Sequence, residues 1–286
     1  MGMEKDLPKF GCQHGINTSM RKDTVKDILS SAICSDRYGF DSVWVMDHTN
    51  SHPDDSQVFE AWTVLGAIAM KTENVRLGTM VGDVLRKNPA VVAQSLLTLD
   101  KLSNGRACLG LGAGEGMNLT PYCIDFNKPV SRMEEGLIII KKLLHATKEE
   151  PANFKGMFFG LKDAFLQLKS DPAPPIWIAA NGVRTREITG RLGEGWIPTA
   201  VTPKNYSIYA KEVDMAAKKA GRDPKNIEKG CELFLSSSKR TPDDWIKSID
   251  KYVNAGVRHF GIEFFGENET SIKLFSKEVI PCFKRQ

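Results

Sequence analysis

The chain has no long apolar run: no stretch approaches the roughly 20 apolar residues that a membrane-spanning helix needs. Its first residues, MGMEKDLPKF, carry no apolar signal core, so the sequence reads as that of a soluble, cytoplasmic protein. Like charges do not run together either. The 39 Lys and Arg are interspersed with 35 Asp and Glu, for a net charge of +4, which argues against a nucleic-acid surface. The six cysteines (Cys12, Cys34, Cys108, Cys123, Cys231 and Cys282) are scattered with no CxxC pair. That excludes a zinc ribbon or a disulfide framework and leaves reduced thiols. There is no HExxH and no paired histidine–carboxylate spacing, so the sequence asks for no metal.

What is present is rhythm. Short apolar or β-branched runs fall at 9–12, 42–46, 75–81, 107–112, 176–180, 195–198, 231–235 and 259–264. Amphipathic helical patterns separate most of them. Val25, Ile28, Leu29, Ala32 and Ile33 share one helix face, with Asp23 as N-cap and Gly39 as the stop. Gln57 to Lys71 reads as a helix, and Asn88-Pro89 as the cap and first residue of another that ends near Gly105. Ser131-Arg-Met-Glu134 has the spacing of a capping box opening a helix to His145. Further helices are expected near Pro203 to Ala220, Thr241 to Ala255 and Glu269 to Phe283. Between His145 and the run at 176–180, Phe154 to Leu168 suggests a hairpin excursion. The reading is α/β: a single-domain (β/α)8 TIM barrel over residues 1–286 with a small insertion region. A doubly wound open sheet is the competing architecture.

Right-handed parallel crossovers put every strand's C-terminus on one face, where βα loops build sites. Asp47-His48, Met80-Val81, Gly112 to Asn118 and Asn181-Gly182 all belong to that face. The string GLGAGEGMN from Gly110 to Asn118 is not a dinucleotide fingerprint, because no helix starts on its glycines. It carries two functional side chains. The Glu115 carboxyl, shielded by a planar ligand, can hold a proton near neutral pH, and the Asn118 amide can hydrogen-bond to a heteroaromatic carbonyl or ring nitrogen. His48 is the candidate base: His14 and His52 also fall in rim loops, while His145 sits on a helix and His259 opens the last strand. Asp47 either orients the site or binds a ligand hydroxyl. The helix start after Asn181-Gly182, with Arg184 or Arg186 nearby, suits an anion such as a phosphate or is an ordinary capped turn. The helix from Gln57 to Met70 sets Phe59, Trp62 and Leu65 beside small Ala61, Gly66, Ala67 and Ala69. It is either a core helix or the face of a homodimer.

Taken in order, Phe40-Asp-Ser-Val-Trp-Val-Met-Asp-His48, Asn88-Pro-Ala-Val-Val-Ala-Gln94, Asn104-Gly-Arg106, Gly112-x-Gly-Glu-x-x-Asn118, Pro175-Ile-Trp-Ile-Ala-Ala-Asn-Gly182 and Gly193-Glu-Gly-Trp196 resemble the bacterial luciferase-like superfamily. The resemblance is closer to its branch that uses coenzyme F420, a deazaflavin, and covers nearly the whole chain. That branch includes sugar-phosphate and secondary-alcohol dehydrogenases and methylenetetrahydromethanopterin reductases. The resemblance implies a deazaflavin lying across the strand C-termini, supported by a non-prolyl cis peptide that falls here at Met80-Val81. It also implies that Asp47, Met80, Val81, Gly114, Asn118, Gly182 and Val183 touch the cofactor and that His48 and Glu115 are acid/base groups. The implied reaction is hydride transfer to or from a small organic substrate. An FMN-dependent monooxygenase and a non-catalytic flavin or deazaflavin binding protein are the alternatives. The segment Thr49-Asn-Ser-His-Pro53 departs from the sugar-phosphate dehydrogenases, which place a tryptophan shortly after the histidine; this argues against that substrate.

Overall fold

Eight parallel strands close into a ring in the order β1 (Lys9–His14), β2 (Ser42–Val45), β3 (Arg76–Thr79), β4 (Ala107–Leu111), β7 (Ile176–Ile178), β8 (Gly195–Trp196), β9 (Glu228–Ser236) and β10 (His259–Phe265), which returns to β1. This computed structural model describes residues 7–14, 23–50, 57–236, 241–265 and 268–284. The closed ring excludes the open sheet. All eight expected runs are barrel strands, and even the two-residue β8 pairs on both sides. The expected hairpin is β5 (Ala152–Lys155) with β6 (Gly160–Ala164), antiparallel and outside the ring.

Helices α1 (Val25–Arg37), α2 (Ala61–Ala69), α3 (Pro89–Leu102), α4 (Pro129–His145), α5 (Val183–Leu192), α6 (Pro203–Lys219), α7 (Pro242–Asn254) and α8 (Asn268–Glu278), followed by the short α9 (Ile280–Lys284), complete the βα units. Three helix starts differ from the sequence reading. The cap of α1 is Thr24, whose hydroxyl accepts from the Asp27 N–H at 3.3 Å while Asp27 accepts from the Thr24 N–H at 2.7 Å. Asp23 is therefore not the cap. Helix α4 begins at Pro129 behind Lys128 and has no side-chain cap, so Ser131 lies inside it. Glu134 is drawn instead into ion pairs with Arg184 at 2.9 Å and with Arg191. Helix α2 starts only at Ala61, where Glu60 accepts from the Thr63 N–H at 2.7 Å.

Side chains alternate between two cores because strand residues point by turns outward and inward. The outward set, including Val43, Val45, Leu77, Leu109, Leu111 and Ile178, packs under the helices. The inward set is Trp44, Met80, Cys108, Trp177 and Ile197. The Trp44 and Trp177 rings lie 5.4 Å apart and fill the barrel's girth. They fit because glycine faces them: a Cβ on Gly78 would stand 2.7 Å from Trp44 Cζ3, and one on Gly230 would stand 2.7 Å from Trp177 Cζ3. The barrel is thus solid below its C-terminal rim, and any ligand must sit in the mouth. Among the described residues, no helix is long and apolar enough to cross a membrane.

Candidate active site

The mouth is built from loop tips that the sequence already marked. Asp47-His48 follow β2, and the peptide between Met80 and Val81, just past β3, is cis. Val81 leans toward β4, where a Cβ on Gly112 would stand 2.7 Å from its Cγ2. Gly114 takes φ +79°, a left-handed conformation that glycine adopts without strain, and turns the chain so that Glu115 returns over the mouth.

His48 and Glu115 meet there. His48 Nε2 lies 3.6 Å from Glu115 Oε2, with the imidazole 20% exposed and the carboxyl 58% exposed. Burial holds the His48 pKa below its ordinary value, opposed by Glu115 and Asp47 and reinforced by Arg86. A neutral imidazole facing a carboxyl can take up a proton. Asn118 is 2% exposed, and its amide is largely committed to the protein: Oδ1 accepts from the backbone N–H of Thr49 at 2.8 Å and of Asn50 at 3.0 Å. Its Nδ2 reaches Glu115 Oε2 at 3.4 Å. Asn118 therefore ties the His48 loop to the Glu115 loop, a use different from direct ligand recognition by both ends of the amide.

Asp47 is also committed. Its buried carboxyl lies 3.1 Å from Arg86 and 3.2 Å from Lys87, while Arg86 pairs with Asp83 at 2.6 Å and Lys87 with Glu60 at 2.7 Å. This ionic network braces the loops after β2 and β3 from outside the mouth. Gly182 caps α5, and its N–H is given to the Thr185 hydroxyl at 3.1 Å; Val183 beside it is 72% exposed. Neither arginine waits there for an anion. Arg184 is bonded to Ser131 and Glu134, each at 2.9 Å, and Arg186 to Glu212 and the Asn181 carbonyl.

Of the other histidines, His14 is the buried last residue of β1 rather than a rim-loop residue, and His52 lies outside the described residues. His145 ends α4, and His259 opens β10 at the opposite end of the barrel. The sequence reading passed over the far wall of the mouth, formed by Gln13 of β1, Glu232 and Phe234 of β9, and Glu263 of β10. A carboxyl within an alternating strand reads as an outward polar residue, and only ring closure turns it inward.

Residues 9–267 match the family model described as luciferase-like monooxygenase. The chain belongs to the luciferase-like family. A phthiodiolone/phenolphthiodiolone dimycocerosates ketoreductase of Mycobacterium tuberculosis is 37% identical over 287 aligned positions, covering 88% of this chain and 75% of that protein. A 5,10-methylenetetrahydromethanopterin reductase of Methanolobus tindarius is 32% identical over 217 positions, 76% of this chain and 63% of that protein. These luciferase-like relatives are named as oxidoreductases. Among solved structures, an F420-dependent secondary alcohol dehydrogenase in complex with an F420-acetone adduct superposes with TM-score 0.86 at 24% identity, over 96% of this chain and 98% of that one. The coenzyme F420 dependent tetrahydromethanopterin reductase from Methanopyrus kandleri does so with TM-score 0.82 at 18% identity, over 97% of this chain and 100% of that one.

Proposed function

We propose that this luciferase-like chain is a deazaflavin-dependent oxidoreductase moving a hydride between coenzyme F420 and the carbonyl or carbinol carbon of a small organic substrate. The observation that carries this reading is the His48–Glu115 pair, 3.6 Å apart at the edge of a barrel mouth. The names of the relatives support the chemistry: a ketoreductase, a methylene reductase and two F420-dependent structures. The residues present fit a planar ring. A Cβ on Gly112 would stand 2.7 Å from Val81 Cγ2 and one on Gly114 3.1 Å from Leu119 Cδ1, so glycine lets the loop after β4 close against Val81 without a side chain of its own. Met80, Val81 and Gly114 would hold the ring, with Asn118 and the Asp47 backbone at its rim. The first turn of α5 from Val183 onward would take the phosphate, since N–H groups at a helix start lack intrahelical partners, and Gly182, whose own N–H goes to Thr185, would allow close approach.

Coenzyme F420, when bound, supplies a ring carbon that gives or accepts a hydride. The chain's own residues hold the partners in line and move the proton. His48, kept neutral by burial, takes the proton of an alcohol or returns it to a carbonyl oxygen. Glu115, on the solvent side, relays that proton to water. Asn118 fixes the distance between the two by bonding both loops.

A binding titration of the purified protein against the deazaflavin and FMN, followed by a panel of ketones and secondary alcohols on the winner, tests this. His48→Asn and Glu115→Gln are each expected to lower turnover about 100-fold or more while cofactor affinity stays within a few-fold. Unchanged turnover in both removes the mechanism. Tight FMN binding with oxygen consumption would favour the monooxygenase reading, which the family model's description keeps in play. Binding without turnover would leave a carrier.

The quaternary proposal is a homodimer. The outward face of α2, with Trp62, Thr63 and Gly66, and α3, with Ser95 and Leu102, line a shallow groove of about 290 Å³. Met70 beside it is exposed. Light scattering on the wild type should give twice the chain mass, and Trp62→Arg should give a monomer. A monomeric wild type discards the dimer.

A further inference from the structure

The β9 wall of the mouth carries a second carboxyl that the loop motifs do not single out. Along β9, Cys231, Leu233 and Leu235 are buried under the helices, so Gly230, Glu232 and Phe234 point inward. The Gly230 position confirms the facing, because a Cβ there would meet the Trp177 ring inside the barrel. In the strand ring, β9 stands four places from β3, directly across from Met80-Val81. Glu232 thus addresses the mouth from the wall opposite the proposed ring floor.

Its surroundings favour the protonated form more than water does. The carboxyl is flanked by the Thr199 hydroxyl after β8 and the Gln13 amide of β1. The charged groups facing it are carboxyls: Glu115 across the mouth, and Glu263 two residues beyond Gly261, the β10 partner of Glu232. Burial pushes the Glu232 pKa up, the Thr199 and Gln13 contacts pull it partly back, and Glu115 raises it further. Just above, the Phe234 ring is more than a third exposed and stacks on Phe265 at 5.8 Å, an apolar wall suited to alkyl groups. Two carboxyls in one site, one wet and one enclosed, divide acid and base roles by their surroundings.

We propose that Glu232 is a substrate-facing residue, presenting its carboxyl as a hydrogen-bond donor to the oxygen of a carbonyl or alcohol whose alkyl groups rest on Phe234 and Phe265. This rests on the oxidoreductase reading above. The bond polarises the substrate carbonyl toward the hydride, whereas the proton itself moves through His48 and Glu115. No covalent step is assigned to Glu232.

The test uses wild type, Glu232→Gln and Glu232→Ala. Infrared titration of the protein without cofactor should show a protonated carboxyl at pH 7 that is missing in Glu232→Gln. With reduced F420 and the best ketone of the panel, kcat/KM of the wild type should fall on the alkaline side. His48, which must carry the proton in this direction, sets one limb in both proteins. Glu232→Gln, whose amide donates at every pH, should lose only the second, more alkaline limb and remain within several-fold of wild type at neutral pH. Glu232→Ala should lose roughly ten- to hundredfold in kcat/KM with deazaflavin affinity, read by fluorescence quenching, unchanged. Unaltered kcat/KM and pH profile in both variants, or the absence of the protonated carboxyl, overturns the proposal. So does a wild type that binds the deazaflavin yet reduces no ketone, while leaving the cofactor reading intact; a wild type that does not bind it overturns both.

Discussion

In the proposed mechanism the proton chemistry turns on His48, whose burial makes a prediction about pH. A free imidazole titrates near 6.5, and enclosure in the mouth holds His48 below that value. As the base in alcohol oxidation His48 works only when neutral, so that direction should lose activity as pH falls through the depressed pKa. The acid limb of kcat/KM for alcohol oxidation should therefore lie below pH ~6.5 and vanish in the residual activity of His48→Asn. An acid limb centred above that point, or one retained in the variant, would assign the base elsewhere. The rim positions of His48 and Glu115 were legible in sequence because His48 follows directly on the β2 run and Glu115 lies in the glycine-rich string just past the β4 run. The place of Asn118 at the rim was legible, but not its bonding. Nothing in GEGMN says that its Oδ1 serves the Thr49 and Asn50 amides, since those lie nearly seventy residues upstream and the contact exists only once β2 and β4 share a face. Glu232 was invisible for a related reason: period-2 alternation says that two faces differ, not which of them a closed ring turns inward.

At the level of elements, the fit between tryptophan and glycine inside the barrel sets what substitutions are tolerated. A Cβ at Gly78 would stand 2.5 Å from the Cys108 carbonyl and 2.7 Å from Trp44 Cζ3, with backbone on one side and a fully buried indole on the other. Gly78→Ala should cost about 1–3 kcal/mol by overpacking. Gly66→Ala is the control: its new methyl would meet only Leu102 at 3.8 Å, and relief of glycine in α2 should stabilise by up to about 1 kcal/mol. Urea midpoints decide, and equal shifts in the two variants would refute the packing argument. The strands were readable because eight runs were bounded by glycine, proline and polar turns. The helix starts were less so. Thr24 and Asp23 are adjacent potential caps, and only the reciprocal bonds with Asp27 distinguish them. Ser131 and Glu134 have the right spacing for a box, but Pro129 starts the helix earlier and Arg184 and Arg191 claim the glutamate. Tertiary ion pairing overrides a local pattern there.

For the whole molecule, the barrel's closed end carries a polar clamp drawn from five strands, including the first and the last. Glu228 of β9 accepts from Arg76 of β3 at 2.9 Å and lies 3.3 Å from Lys9 of β1. His259 of β10 lies 2.9 Å from Glu228 through Nδ1 and 2.7 Å from the Ser42 hydroxyl of β2 through Nε2. A carboxylate only accepts, so Nδ1 carries the proton; burial keeps the ring neutral, so Nε2 accepts from Ser42. Burial would raise the Glu228 pKa, but bonds from His259 and Arg76 win and hold it well below the usual carboxylate range. Both groups then have folded pKa values beneath their unfolded ones, so the unfolded chain binds protons first on acidification. The stability they contribute should be intact at pH 7. It should begin to fall as pH drops below ~6.5, where an unfolded histidine protonates, and fall further below ~4.3, where an unfolded glutamate does. Glu228→Gln removes the second component, so its stability should depend less steeply on pH below ~4.3 than that of the wild type, although it starts lower at pH 7 because Arg76 and His259 lose a charged partner. Denaturant midpoints from pH 7 to the acid range would show this. If the two curves stay parallel throughout, ring closure does not depend on the ionised clamp and must rest on the two tryptophans and the helical layer alone.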